Sequence, residues 1–130
     1  MKRLVFFVII SLASIAASAQ STSEVPIQNI STDSSVVFRL FATRNMYTFI
    51  KLNTRNGQMW QVQWGTESQY TFETTLSNIS LVNKADERNG RFFLYPTTNI
   101  YNFILLDQMN GKVWQVQWGK EANRMVVPIN

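Results

Sequence analysis

The chain has 130 residues and a formal net charge of +4, with 12 Lys and Arg against 8 Asp and Glu, and it contains no histidine and no cysteine. These absences remove the commonest general base, the commonest zinc ligand, every thiol nucleophile and every disulfide. The basic residues are scattered among the acids instead of forming a stripe, which argues against a nucleic-acid-binding protein.

Residues 1–19 have the pattern of a secretory signal peptide. A basic start, Met1-Lys2-Arg3, precedes an apolar run and the ending Ala17-Ser18-Ala19. The run is too short for a comfortable membrane span of about 20 apolar residues. We therefore expect cleavage near Ala19, export to the periplasm, the cell surface or the medium, and a mature form without a membrane span. Small eukaryotic secreted domains are usually rich in disulfides, so a bacterial product is the better expectation for this cysteine-free chain.

Taken in order, the chain is expected to divide into a flexible, polar leader at 20–35, a first β repeat at 36–76, a charged connector at 77–90 and a second β repeat at 91–130. Each repeat carries four β-branched or aromatic stretches separated by turn residues, which is typical of strands. The predicted strands are 36–41, 47–52, 58–64 and 70–75 in the first repeat, and 92–95, 101–106, 112–118 and 124–128 in the second.

The two repeats are copies of one sequence unit. The stretch Trp60-Gln61-Val62-Gln63-Trp64-Gly65 returns letter for letter 54 positions later, ending at Gly119, and it contains all four tryptophans. Between 38–65 and 92–119, 16 of 28 positions are identical without a gap. A repeat of this kind indicates a duplicated structural unit.

The turn between the second and third strands of each repeat has hairpin chemistry. In the first repeat, Asn53 can accept hydrogen bonds from the backbone amides that follow it, and Gly57 can take the positive φ that closes the turn. Asp107 and Gly111 hold the same places in the second repeat. The interchange of Asn and Asp suits turn capping and argues against a catalytic Asp107.

Each predicted sheet has one strongly apolar face, formed in the first repeat by Tyr47, Phe49, Trp60, Val62 and Trp64. A single sheet cannot hide such a face from water. We therefore predict an all-β protein in which two four-stranded antiparallel meanders pack about a pseudo-twofold axis, as a sandwich or a barrel-like single domain. An alternative is that each repeat behaves as a propeller blade and that further copies come from oligomerisation.

Two interpretations of the Trp/Gln strand remain open. In the first, the tryptophans are structural core and the glutamines line the opposite, wetter face. In the second, the glutamine amides and nearby tyrosines form a polar strip that receives sugar hydroxyls or the backbone of a partner. The predicted core residues are Trp60, Trp64, Trp114 and Trp118, and the candidate ligand-binding residues are Gln61, Gln63, Gln115, Gln117, Tyr70 and Tyr95.

The sequence predicts no catalytic residue, metal site or cofactor. A glycosidase needs two carboxylates facing each other across a cleft, and the eight acids are spread out. The pair Glu67 and Glu121, approximate equivalents across the repeat, keeps a small carboxylate-dependent hydrolase as an alternative.

The run from Leu94 to Asp107, followed by Gly111 to Trp118, resembles a pattern in small exported proteins of gut Bacteroidetes. That pattern combines a tyrosine-rich strand, an Asp-x-x-x-Gly turn and a Trp-Gln-Val-Gln strand. The resemblance covers both repeats, implies export and a β-hairpin repeat, and transfers no catalytic or binding residue.

We therefore expect an exported, non-enzymatic binding module for a protein or a glycan, such as an inhibitor or a component of a surface assembly. A self-assembling structural subunit, with strands of low charge pairing edge to edge, is a further alternative, and it makes a homo-oligomer an expected form.

Overall fold

A computed structural model describes residues 30–31 and 33–130 and contains two four-stranded antiparallel sheets. The predicted signal peptide and residues 20–29 of the predicted leader lie outside this range. Within the described residues, no helix has the length and apolar character needed to cross a membrane. The two sheets do not close into a barrel, and the prediction of an all-β protein made of two tandem meanders is confirmed.

Each sheet follows chain order, and we call the first sheet unit 1 and the second unit 2. The described residues also include 3-10 helices at Ser68–Tyr70, Lys84–Asp86 and Glu121–Asn123. The strands of unit 1 are β1 (Phe38–Ala42), β2 (Thr48–Asn53), β3 (Met59–Gln63) and β4 (Phe72–Ser77), and those of unit 2 are β5 (Phe92–Pro96), β6 (Asn102–Asp107), β7 (Val113–Gln117) and β8 (Met125–Ile129).

The central hairpin of each unit closes as its turn residues predict. The Asn53 side chain accepts a hydrogen bond from the Arg55 amide at 3.0 Å, and Gly57 takes a φ of 85°. In unit 2, Asp107 accepts from the Met109 amide at 2.9 Å, and Gly111 has a φ of 79°. A positive φ strains residues that carry a Cβ, so glycine is required where these turns end.

The strand register sorts the side chains of each unit onto two faces. Leu40, Lys51 and Trp60 are neighbours across three strands of unit 1, as Leu94, Leu105 and Trp114 are in unit 2. We call this side the Trp face: it holds Phe38, Leu40, Tyr47, Phe49, Lys51, Trp60, Val62, Trp64, Glu73 and Thr75 in unit 1, and Phe92, Leu94, Tyr101, Phe103, Leu105, Trp114, Val116, Trp118, Val126 and Pro128 in unit 2.

The opposite side is the Gln face, which alternation along each strand places behind the Trp face. In both units it carries the two glutamines of the repeated motif, together with aliphatic and aromatic residues. The Gln face holds Arg39, Phe41, Thr48, Ile50, Leu52, Met59, Gln61, Gln63, Phe72, Thr74 and Leu76 in unit 1, and Phe93, Tyr95, Asn102, Ile104, Leu106, Val113, Gln115, Gln117, Met125, Val127 and Ile129 in unit 2.

The two units stack with the Gln face of unit 1 against the Trp face of unit 2. A single buried cluster combines the two faces: Phe41, Ile50, Leu52, Met59 and Leu76 come from unit 1, and Phe92, Leu94, Phe103, Leu105, Trp114, Val116 and Trp118 come from unit 2. The expected pseudo-twofold packing of two like faces is therefore wrong. Both faces of each sheet are apolar enough to be buried, so unlike faces can pack as well as like ones.

Equivalent leucines on the two Trp faces differ in burial because of this stacking. Leu94 is 1% exposed and Leu40 is 48% exposed. In a dilute sample that sediments as a single chain, we expect Leu94→Ala to lower the free energy of unfolding by about 2–5 kcal/mol, because it leaves a cavity. The matched control Leu40→Ala should cost less than about 1 kcal/mol. Urea unfolding measures both, and equal losses would contradict the stacking.

Candidate binding surfaces

The Trp faces of the two units carry nearly the same residues in different surroundings. In unit 2, Phe92 is fully buried and Trp118 is 5% exposed. Their equivalents in unit 1, Phe38 and Trp64, are 52% and 44% exposed. Within the described residues, unit 1 therefore leaves open to solvent part of a surface that closely resembles the one buried in unit 2.

The Gln faces show the reverse pattern, and Gln61 is central to it. Its side-chain oxygen accepts hydrogen bonds from the Gly119 amide at 2.9 Å and from Nε of Arg124 at 3.0 Å, both in unit 2. Arg124 also donates to the Thr75 carbonyl at 3.1 Å. The expectation that all four glutamines line a wetter face fails for Gln61, because unit 2 covers the Gln face of unit 1.

Gln115, the equivalent of Gln61, is only half buried and donates to the Asn102 side chain at 2.9 Å within unit 2. The two copies of one residue therefore have different partners. Gln61 joins the units, whereas Gln115 stays on a face that no part of the described chain covers completely.

The four tryptophans divide between the units. Trp114 and Trp118 belong to the buried core, as predicted. Trp60 is half buried and Trp64 is exposed. The prediction that all four are core is therefore wrong for unit 1, because no sheet within the described residues packs on its Trp face. The last tryptophan of each unit is held by an equivalent hydrogen bond: the indole N–H of Trp64 donates to the Met46 carbonyl at 3.0 Å, and that of Trp118 donates to the Ile100 carbonyl at 3.1 Å.

A cleft of about 240 Å³ lies at the end of the unit 1 Trp face. The Tyr47 and Trp64 rings are 5.2 Å apart in it, and the exposed Tyr70 follows the loop that begins at Gly65. A Cβ at Gly65 would lie 2.8 Å from the Tyr70 Cβ, so glycine is needed for this close approach. The lining residues are Tyr47, Gln63, Trp64, Gly65, Thr66 and Tyr70.

The cleft brings together two of the predicted ligand-binding residues, Gln63 and Tyr70. Gln61 lies in the contact between the units, and Tyr95 is exposed on the Gln face of unit 2 beside Phe93, with ring centroids 5.1 Å apart. Gln115 and Gln117 share that face with Tyr95. The six candidates therefore do not form one site.

A second cleft, of about 320 Å³, lies where the N-terminal described residues meet the connector, and Arg39, Asn89 and Phe93 help to line it. The Arg39 guanidinium donates to the Asp33 carbonyl at 3.0 Å and stacks over the Phe93 ring at 5.8 Å. The pKa of Asp33 is lowered by hydrogen bonds from the backbone and side chain of Ser35, so this carboxyl is ionised at neutral pH.

Within the part of the chain that the structure describes, three carboxylates are held in ion pairs. Asp107 is fully buried, and its carboxylate accepts a hydrogen bond from Nε of Arg91 at 2.9 Å in addition to capping its turn. Glu87 faces Arg55 at 3.7 Å. Glu73 pairs with Lys51 on the exposed Trp face.

The described residues hold no group of three or more His, Cys, Asp or Glu side chains that could bind a metal ion. The predicted equivalence of Glu67 and Glu121 is off by one position: Glu67 precedes its 3-10 helix as Lys120 precedes the corresponding one in unit 2. The repeat therefore does not present these two acids as a matched pair.

Sequence reasoning missed Phe38 and Leu40 as surface residues, although a signal was present. Lys51 stands where unit 2 has Leu105, and the strand register places Glu73 where unit 2 has Val126. These two replacements put a charged pair in the middle of the Trp face of unit 1 alone. Charge at these positions distinguishes the open Trp face from the buried one.

No protein-family model matches the chain, and no curated protein or solved structure matches it. The two surfaces must therefore be interpreted from their own chemistry.

The two equivalent glutamines provide a test of the contact between the units. Gln61→Ala leaves the half-buried Gly119 amide and Arg124 without this acceptor, so we expect a loss of about 1–3 kcal/mol in unfolding free energy. The control Gln115→Ala removes a half-buried hydrogen bond within one unit and should cost less than about 1 kcal/mol in a single chain. A larger loss for Gln115→Ala than for Gln61→Ala, measured by urea unfolding, would contradict the assignment of these contacts.

Proposed function

We propose that the chain is an exported, non-enzymatic binding module whose Trp face in unit 1 binds an apolar protein surface. The observation that carries this proposal is the burial of the same face in unit 2. Because a sheet covers Phe92, Leu94 and Trp118 inside the chain, an equivalent set exposed on unit 1 is suited to receive another sheet. The export part rests on the N-terminal pattern that ends at Ala19.

The shape of this face suits a protein partner. Phe38, Leu40 and Trp64 project from β1 and the end of β3, so the exposed apolar side chains spread across the sheet. Large exposed apolar patches on soluble proteins commonly mark interaction sites. Covering them removes apolar area from water, worth about 25 cal/mol per Å².

The charged pair within the face restricts what can bind there. The Lys51 ammonium lies 5.6 Å from the Phe38 ring centroid and 5.0 Å from that of Trp60, and it pairs with Glu73. The pair is neutral as a whole, so an uncharged partner surface can cover it without leaving a lone charge. A partner that placed a further charge over it would bury that charge unpaired, which is costly.

The charged side chains support a non-enzymatic role. Asp107, Glu87 and Glu73 each have a cationic partner, and Asp107 is closed off from solvent. A general acid must be protonated when it acts, and the lowered pKa of Asp33 disfavours that state at neutral pH. Ion-pairing and turn capping account for these carboxylates without any reaction.

A second candidate function is glycan binding, and the cleft beside Trp64 favours it. Three aromatic residues, Tyr47, Trp64 and Tyr70, line the cleft together with Gln63. Sugars present apolar C–H faces and polar hydroxyls, which stack on rings and pair with amides. Small-ligand sites combine apolar walls and a few polar groups in this way.

The protein-binding proposal is tested by site-specific photo-crosslinking in cells that express the full chain. A benzoylphenylalanine replaces Leu40 on the Trp face, and in a control chain it replaces Met109, which is also exposed but lies in a turn of unit 2. We expect a discrete protein adduct from position 40 and none from position 109. The absence of any protein adduct at position 40 would contradict the proposal.

The glycan candidate predicts a separate result. If sugars bind in the cleft, a panel of mono- and oligosaccharides will contain one that changes tryptophan fluorescence on titration. Tyr70→Ala and Gln63→Ala should weaken that binding at least tenfold, since each removes a wall or an amide. The matched controls Asn123→Ala and Gln117→Ala, at the equivalent places in unit 2, should leave it unchanged. A panel without a binder, or equal effects of all four variants, counts against the cleft.

A further inference from the structure

The stacking of the two units joins one Gln face to one Trp face. It leaves a second face of each kind open, and each open face carries residues similar to those of its buried equivalent. Inside the chain, the Gln face of unit 1 packs on the Trp face of unit 2. Among the described residues, no sheet packs on the Trp face of unit 1, and the Gln face of unit 2 meets unit 1 at Phe93, whose ring lies 5.1 Å from that of Phe41. We propose that copies of the chain close into a ring, in which the Trp face of unit 1 packs on the Gln face of unit 2 of the next copy. This proposal rests on the proposed function and names its partner as a second copy.

The exposed apolar side chains are concentrated on these two faces. The described residues include fourteen exposed large hydrophobic side chains. Eight of them belong to the two open faces: Phe38, Leu40, Tyr47 and Trp64 on the Trp face of unit 1, and Tyr95, Met125, Val127 and Ile129 on the Gln face of unit 2. Ring closure covers both sets with a single type of contact.

The open faces retain the residue types that form the contact inside the chain. On the Trp face, the buried Phe92, Leu94, Phe103, Trp114, Val116 and Trp118 are matched by identical residues at 38, 40, 49, 60, 62 and 64. On the Gln face, the buried Phe41, Ile50, Leu52 and Met59 are matched by Tyr95, Ile104, Leu106 and Val113. Both halves of an interface that already packs are therefore present on the outside of each chain.

The charged pair on the open Trp face is compatible with this partner. Its two members, Lys51 and Glu73, neutralise each other, and the side chains assigned to the Gln face of unit 2 include no Asp, Glu, Lys or Arg. The pair would therefore meet an uncharged surface. Gln115 occupies the place that Gln61 has in unit 1, but the Gly65 amide, the equivalent of the Gly119 amide, donates to the Thr71 hydroxyl at 3.1 Å within its own unit. The contact between copies therefore relies on apolar packing and does not include this hydrogen bond.

The direction of stacking determines the kind of assembly. A contact between two different faces is heterologous, so each chain that binds a neighbour still offers a free face to the next. Such a contact ends only when the chain of copies closes on itself. Four to eight four-stranded sheets close around an axis in known propellers. With two sheets in each chain, that range corresponds to about two to four chains.

Two arginine substitutions test the proposal, one on each open face. Leu40→Arg places a charge on the Trp face of unit 1, and Val127→Arg places one on the Gln face of unit 2. Multi-angle light scattering of the mature protein should give a single closed species of about two to four chains. Each variant should fall to the mass of one chain, because it loses one half of the contact. The control Met109→Arg changes a residue that is also exposed but lies away from both faces, and it should keep the ring.

Mixing the two arginine variants tests the direction of the contact. Leu40→Arg keeps an intact Gln face, and Val127→Arg keeps an intact Trp face. An equal mixture should therefore form a dimer with one chain of each kind and nothing larger. Recovery of this dimer also demonstrates that both variants are folded.

Several results would overturn the ring. They are a single chain at all concentrations, a set of sizes that keeps growing with concentration, and a dimer that either variant abolishes and mixing does not restore. The photo-crosslink at position 40 separates this proposal from the proposed function. An adduct twice the mass of the chain supports both, whereas an adduct with a different protein supports the function and overturns the ring.

Discussion

The packing of unlike faces is the constraint on which the rest of this structure depends. Each unit is a sheet with two apolar faces, and stacking two such sheets covers only one face of each. The Gln face of unit 1 and the Trp face of unit 2 are buried together, with Gln61 joined to Gly119 and Arg124 across the contact. The exposed aromatic surface, the cleft beside Trp64 and the proposed ring all follow from this one arrangement.

The sequence was sufficient for the strands, the turns and the sheet order, because these depend on local chemistry. Asn53 and Gly57 specify their hairpin, and alternation of side chains specifies the two faces. The direction of stacking was not predicted, because both faces of the repeat are apolar and its two copies are nearly identical. Lys51 and Glu73 distinguish the open Trp face from the buried one. They could not be recognised as a pair from the sequence, because the strand register brings them together.

The candidate site was predicted only in part, for the same physical reason. Gln63 and Tyr70 belong to consecutive predicted strands, and the loop that starts at Gly65 folds back to bring them to one cleft. Trp64 and Trp118 are identical in sequence context, yet one is exposed and the other is core. Whether a residue of the repeat is core or surface depends on whether another sheet packs on its face. Within one chain, the stacking of the two units covers only one face of each.

The stacking of unlike faces can be measured directly from nuclear Overhauser effects between methyl groups of the mature protein. We expect contacts between methyl groups on the Gln face of unit 1, at Ile50, Leu52 and Leu76, and those on the Trp face of unit 2, at Leu94, Leu105 and Val116. These contacts are expected whether the protein is a single chain or a ring. Contacts between Leu40 or Val62 and Leu94 or Val116 would instead place the two Trp faces together, and they would contradict the account.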